Sequence, residues 1–204
     1  MKYTLLLLMS IFCLTTLQAQ PFGIGLTVKN DLYQRYSNPK DEIASGSAGS
    51  FLLNFGLGPK FWVGGEDFSV SVEGSANIAP LALSTGDFKG LGAGAFPLMM
   101  KFNFQGLSGV NKEGKFGLSI GGGIQYSRTE LFGLKNSFAE DGVERKLFKT
   151  YIGEIAYGFG MSGFAGYVFL RYGRESDTKA NTFNFGLGYD INIPRFKELT
   201  DPEF

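Results

Sequence analysis

The chain has 204 residues, with 19 basic and 19 acidic side chains, no histidine and one cysteine. That length fits one domain with a sizeable core, and the balanced charge argues against a general nucleic-acid binder. The lack of histidine removes the commonest acid–base residue and the commonest metal ligand, while 30 glycines and 21 phenylalanines mark an unusual composition.

The N-terminus comes first. Lys2 precedes the apolar runs Tyr3–Leu8 and Ile11–Leu14, and the polar patch Thr15-Thr16-Leu17-Gln18-Ala19-Gln20 follows. This is the charged, apolar and cleavage-region order of a secretory leader. Residues 1–19 are therefore read as a signal peptide cut after Ala19, 20–193 as one β-barrel domain and 194–204 as a C-terminal periplasmic tail. The apolar run falls short of the ~20 residues that a membrane-spanning helix needs. Cys13 lies inside the leader, and bulky Phe12 before it does not suit a lipoprotein cysteine. The mature chain then holds no disulfide, thiol nucleophile or cysteine metal site. Loss of Lys2 leaves it one charge negative.

Eight alternating segments follow. Phe22 to Lys29 sets Phe22, Ile24, Leu26 and Val28 against Gly23, Gly25, Thr27 and Lys29. Asp31 to Ser47 reads as a long polar loop with an Asn38-Pro39 turn. The second strand runs about Ala48 to Phe61, with Leu52 and Lys60 in its polar phase and Pro59 as a bulge or early strand end. The third runs Phe68 to Ala76, and Asn77 to Asp87 reads as a loop. The fourth, about Phe88 to Phe104, contains Pro97, where a bulge is expected. Gln105 to Gly114 is a Gly/Asn-rich turn region, and the fifth strand is Lys115 to Ser127. After the long loop Arg128 to Arg145 come the sixth strand, about Leu147 to Met161, and the seventh, Phe164 to Arg174. The last is Thr182 to Ile193, where Phe183, Phe185, Leu187, Tyr189 and Ile191 all fall on one face.

This pattern predicts an all-β fold: an eight-stranded antiparallel transmembrane β-barrel, wound as an up-and-down meander. Most segments exceed the ~9–11 residues needed to cross a bilayer at a tilt. Connections after strands one, three, five and seven are mostly long, and those after two and six are short, as outside loops and periplasmic turns would be. Both termini would then face the periplasm. Lipid offers no hydrogen-bond partner, so such a sheet must close. A soluble barrel would show the same alternation with its faces inverted. Here the polar phase is rich in Gly, Ala and Ser, which suits a small filled interior better than a solvated exterior. Phe183, Phe185, Leu187, Tyr189 and Ile191 are thus expected to face lipid. Tyr126, Tyr157, Tyr172, Tyr189 and Trp62 are expected in aromatic belts.

The polar phase also carries Lys29, Lys60, Glu73, Lys101, Glu154, Arg171 and Asp190, a candidate charge network in the lumen. If Ser162-Gly163 is a two-residue turn, Met161 faces Phe164, and counting outward sets Glu154 opposite Arg171. Opposite charges paired across strands support each other. A pore is one reading; a salt-bridge plug in an interior just wide enough for side chains is favoured. Tyr167, Phe169 and Leu52 in the same phase also argue against a water channel. The acidic doublets Glu66-Asp67 and Glu140-Asp141, and Asp31, Asp41 and Glu42 of the first loop, read as solvated loop charge without calcium-loop spacing. Gly90-Leu91-Gly92-Ala93-Gly94 lacks the Lys-Ser/Thr and following helix of a phosphate loop. No serine elbow is present. The chain is read as no enzyme, with no cofactor and no metal site.

The leader ending Leu17-Gln18-Ala19-Gln20, the Gly–aromatic strands and the closing Phe183-Asn184-Phe185-Gly186-Leu187-Gly188-Tyr189-Asp190 resemble those of small Bacteroidetes outer-membrane β-barrel proteins, the PorT-like group among them. The resemblance spans Phe22 to Ile193 and carries no active-site motif. It implies insertion among outer-membrane lipid by the outer-membrane assembly machinery, and for PorT-like members a link to protein secretion. Many such barrels end on an aromatic residue of the last strand; here Phe204 is separated from it by Pro194 and Pro202. Three functions compete: a non-enzymatic barrel, structural or binding a protein partner through its loops within envelope or secretion machinery; a small passive channel; and a soluble barrel carrying an apolar ligand.

Overall fold

The computed structural model describes residues 22–41, 44–50, 54–84, 90–109, 114–133, 145–161 and 163–192. The expected leader and C-terminal tail lie outside them, as do Glu42, Leu52, Glu140 and Asp141. Among the described residues eleven strands form one sheet: β1 (Phe22–Asn38), β2 (Ser45–Ser50), β3 (Phe55–Gly64), β4 (Phe68–Gly74), β5 (Ala76–Ser84), β6 (Gly90–Gln105), β7 (Lys115–Arg128), β8 (Phe132–Gly133), β9 (Phe148–Met161), β10 (Phe164–Arg174) and β11 (Asn181–Asn192).

The hydrogen bonding closes on itself. β1 pairs with β11 on one side and with β2 and β3 on the other. From β11 the ladder passes through β10, β9 and β7 to β6. β6 pairs in turn with β4 and β5, which return to β3 and β2. β8 touches β6 alone, so ten strands make the ring. Among the described residues closure leaves no long unpaired edge, the condition for a sheet that meets no water on its outer wall.

The expected eight-stranded up-and-down barrel is therefore corrected to a ring of ten antiparallel strands with a short appended one. Two expected strands are split, and two expected loops are strand. Asp31 to Ser47 is largely regular, because β1 continues to Asn38 and β2 begins at Ser45. A bulge between Asp31 and Tyr33 slips the alternation by one residue and hides this continuation from a period-two reading. β2 pairs with β1 from Tyr33 onward and β3 pairs with β1 up to Lys29, so the bulge sits between their two pairings. There the Asn30 side-chain amide donates to the Asn54 carbonyl at 2.7 Å.

Asn77 to Asp87, expected as loop, begins with β5. The break between β4 and β5 falls at Ser75, which lies between Pro97 in β6 and Gly58 in β3. Ser75 donates its N–H to the Pro97 carbonyl at 3.1 Å. Pro97 has no N–H to return. β6 itself runs through Pro97 without the expected bulge: Gly74 faces Leu98 and Asn77 faces Ala95, with equal numbers of residues between. Pro59 likewise lies inside β3, opposite Leu26.

The two faces of the sheet are sharply different. Along β9 and β3 every second residue is buried, and the residues between them are more exposed. The outer wall carries Phe22 at 82% exposure with Phe55, Leu57, Phe61, Ile155 and Leu170. The buried set contains Lys29, Lys60, Glu73, Lys101, Glu154 and Arg171. Phe185 and Tyr189 are outward and exposed, and Phe183, Leu187 and Ile191 share their phase in partial exposure. Tyr126, Tyr157 and Tyr172 are outward too. Trp62 is not: it is buried inside, against Gly109, rather than in an outer aromatic belt.

Candidate functional site: the filled lumen

Glu154 of β9 organises the interior. The tight turn between β9 and β10 sets Met161 opposite Phe164, and the ladder carries Arg171 opposite Glu154. Gly163 holds φ +75 in this turn, a backbone region that glycine adopts without steric cost. Arg171 donates to Glu154 Oε2 through Nε at 2.8 Å and Nη2 at 2.6 Å. Lys29 of β1 reaches Glu154 Oε1 at 3.2 Å, and Lys101 of β6 pairs with the same oxygen. Both lysines also meet Glu73 of β4 at 2.8 Å. Five strands thus place three cations around two carboxylates in the middle of the lumen.

This arrangement is well suited to a dry interior. A buried charge is tolerated when it is paired and hydrogen-bonded, and each of these cations has at least one acidic partner. Aromatic rings add further cover. Lys29 Nζ lies 5.0 Å from the Phe169 ring centre, Lys101 Nζ 5.4 Å from that of Tyr167, and the Arg171 guanidinium 5.3 Å from that of Phe169, all within cation–π range. Glycines make the room. Tyr167 is flanked by Gly188 on β11 and Gly158 on β9, and a methyl group at either would overlap Tyr167 itself. A methyl at Gly121 would overlap the Lys101 side chain.

Toward the turns, Lys60 of β3 pairs with Asp190 of β11. Tyr167 Oη donates to the other Asp190 oxygen at 3.1 Å, and it lies 3.3 Å from Thr27 Oγ1. Of the seven lumen-phase charges named from sequence, the structure brings five into the cluster around Glu154 and the other two into this pair, which Tyr167 links to the cluster's lysines.

Sequence reasoning missed what closes each end. At the turn side, the segment after β6 folds back into the mouth. Gln105 takes φ +51, Ser108 Oγ donates to the Gly65 carbonyl, and the Gly109 N–H donates to Ser69 Oγ at 2.8 Å. Asn192 then donates to the Gly109 carbonyl at 2.8 Å, while Leu107 packs with Ala156, Ala165, Tyr167 and Phe169. Buried Trp62 belongs to this stopper. Its Gly/Ser composition resembled an ordinary turn, so no sequence signal marked it.

At the loop side, Tyr36 and Phe148 pack among Ala79, Ala82, Ala93, Ala95 and Ala180. Asp31, expected in a loop, is buried on β1 and accepts from Asn184 Nδ2 at 3.1 Å; Asn184 also reaches Tyr36 Oη at 2.9 Å. Above them Arg145 pairs with Glu130 at 3.1 Å and with Asp41 at 3.6 Å, and Ser45 donates to Asp41 at 3.0 Å. Arg145 and Glu130 are both buried, so this joins two loop regions over the lumen. Beside it lies an open cleft of about 470 Å³ lined by residues including Lys40, Asp41, Lys146, Phe148, Glu175 and Asp177. Among the described residues no group of three His, Cys, Asp or Glu could hold a metal ion.

No protein-family model and no curated protein matches the chain, so the likeness to PorT-like proteins rests on the residues quoted above alone. Solved structures do align with it at low identity. Neisserial surface protein A aligns at 6% identity and TM-score 0.45, over 83% of this chain and 96% of that one. The N-terminal β-barrel domain of Pseudomonas aeruginosa OprF aligns at 9% and 0.42, over 83% and 98%. Ail, the attachment invasion locus protein of Yersinia pestis, aligns at 12% and 0.41, over 83% and 99%.

Proposed function

We propose that this chain is a non-enzymatic β-strand protein of the bacterial outer membrane, closed to solute flow, that acts as a structural or partner-binding element of the envelope. The observation that carries this reading is the inversion of burial. Lysine, arginine and glutamate are sealed inside, while phenylalanine and leucine cover the outer wall of a ring without long unpaired edges. A water-soluble protein does not expose so large a contiguous apolar surface, whereas a lipid-facing wall requires it. The structural alternative to a pore follows from the filled lumen: Tyr167, Phe169 and Arg171 occupy its middle, and both mouths are packed. The side free for recognition is the loop side, where the open cleft mixes lysine and carboxylate side chains. A place in envelope or secretion machinery is the finer reading, with the loops as the protein-binding surface.

The test uses the mature chain expressed with its own leader. It is expected to fractionate with the outer membrane, to migrate differently on gels before and after boiling, and to give no steady conductance in a planar bilayer. Free solubility without detergent would overturn the membrane location. Steady ohmic current from the folded protein would replace the structural role with a channel.

A further inference from the structure

The outer wall is not the same at its two ends. On the turn side the outward phase ends in phenylalanine: Phe22, Phe68, Phe104 and Phe116. On the loop side it ends in cations. Arg128 closes β7, Lys149 is the second residue of β9, Arg174 closes β10 and Arg35 lies near the end of β1, all in the outward phase. Each is two residues beyond, or before, an outward tyrosine: Tyr126, Tyr151, Tyr172 and Tyr33 respectively.

The register makes Arg128, Lys149 and Arg174 neighbours, and Arg35 follows on the far side of β11. Lys149 faces Tyr126, so it stands diagonal to Arg128; Arg174 faces Tyr151, so it stands diagonal to Lys149. Arg174 faces Asn181 on β11, and Arg35 faces Phe183 two residues on. Diagonal neighbours on one face lie about 7–8 Å apart. None of the four forms an ion pair among the described residues; Glu175, next after Arg174, lies beyond ion-pair distance of them but acts electrostatically on Lys149. Lys149 is held by Tyr151, donating to its hydroxyl at 2.9 Å and lying 4.4 Å from its ring centre. Arg128 Nε is buried without a hydrogen-bond partner.

Resting on the outer-membrane reading, we infer that this stair of cations binds the phosphate groups of anionic lipid in the leaflet on the loop side. The charge complementarity is direct: like charges set side by side repel, tyrosine rings mark headgroup depth, and a lysine or arginine at that depth gains from an anionic surface. Arginine in particular presents a fork that matches phosphate oxygens. The stair covers β7, β9, β10 and β1, and on the opposite wall β5 ends in outward Leu81 and Leu83 instead, so lipid should be held along one side only.

The test compares the folded protein in phosphatidylcholine vesicles with the same vesicles doped with diphosphoryl lipid A. Insertion into plain vesicles reports the membrane reading by itself. The doped vesicles should raise the unfolding temperature by roughly 5–10 °C. Added salt should shrink that rise, and inorganic phosphate at equal concentration should not reproduce it. The variant R128Q/K149Q/R174Q should unfold like the parent in plain vesicles and lose most of the rise, whereas Lys115→Gln at the turn side should keep it. An equal rise in the triple variant, or no salt-sensitive rise in the parent, would overturn the inference even if both proteins insert normally.

Discussion

Glu154 and Ile155 are consecutive residues of β9, yet they belong to opposite worlds. Glu154 is 4% exposed and holds three cations; Ile155 is 47% exposed and touches none of the ionic network. The inner wall is specific, because each charge there must meet a partner at a set distance. The outer wall is generic, because lipid asks only for apolar bulk. One wall tolerates almost no change of residue type, and the other should tolerate many apolar exchanges while refusing charge.

The largest effect is expected inside. Glu154→Ala removes the shared carboxylate and leaves Arg171 without its acid and the two lysines on Glu73 alone. Breaking a buried pair from one side costs about 3–5 kcal/mol. The unfolding temperature of the reconstituted protein should fall sharply, and equal thermal stability of variant and parent would remove the ionic account of the interior. Next comes its neighbour. Ile155→Arg places a charge at mid-strand on the outer wall, where a cation near the bilayer centre costs roughly 2–4 kcal/mol. Its signature is a lower yield of heat-modifiable, vesicle-inserted protein. If Ile155→Arg inserted as well as the parent, the outer wall would not face lipid. The smallest effect belongs to Leu170→Ala, also outward. It trades one apolar side chain for another against lipid and should cost about 0.5 kcal/mol, read in the same unfolding assay. A loss as large as that of Glu154→Ala would mean that the two walls are not so different.

Much of this contrast was legible in the residues themselves. Period-two alternation separates Phe183, Phe185 and Tyr189 from Asn184, Gly186 and Asp190 without any knowledge of the fold. Reading Ser162-Gly163 as a two-residue turn sets Met161 against Phe164, the register that β9 and β10 adopt. Other features were masked by local irregularity. The slip at Leu32 hid the outer half of β1, and with it Asp31. Ser75, facing Pro97, cut one segment in two and disguised β5 as a loop. Trp62 lies near a short turn, where an aromatic belt would place it, but it falls on the buried phase of β3 with Lys60.

The composition and the alternation by themselves determined that this chain makes a two-faced, strand-rich protein with charge confined to one face, because side-chain direction in a strand follows from backbone geometry alone. The Glu154–Arg171 pair follows from the short turn between β9 and β10, but which carboxylates serve the lysines, how many strands complete the ring, and what stops its two mouths were decided only in three dimensions. Lys29 and Glu154 are 125 residues apart in the chain, and contacts over such distances depend on closure and stagger of the whole sheet, which no local pattern records.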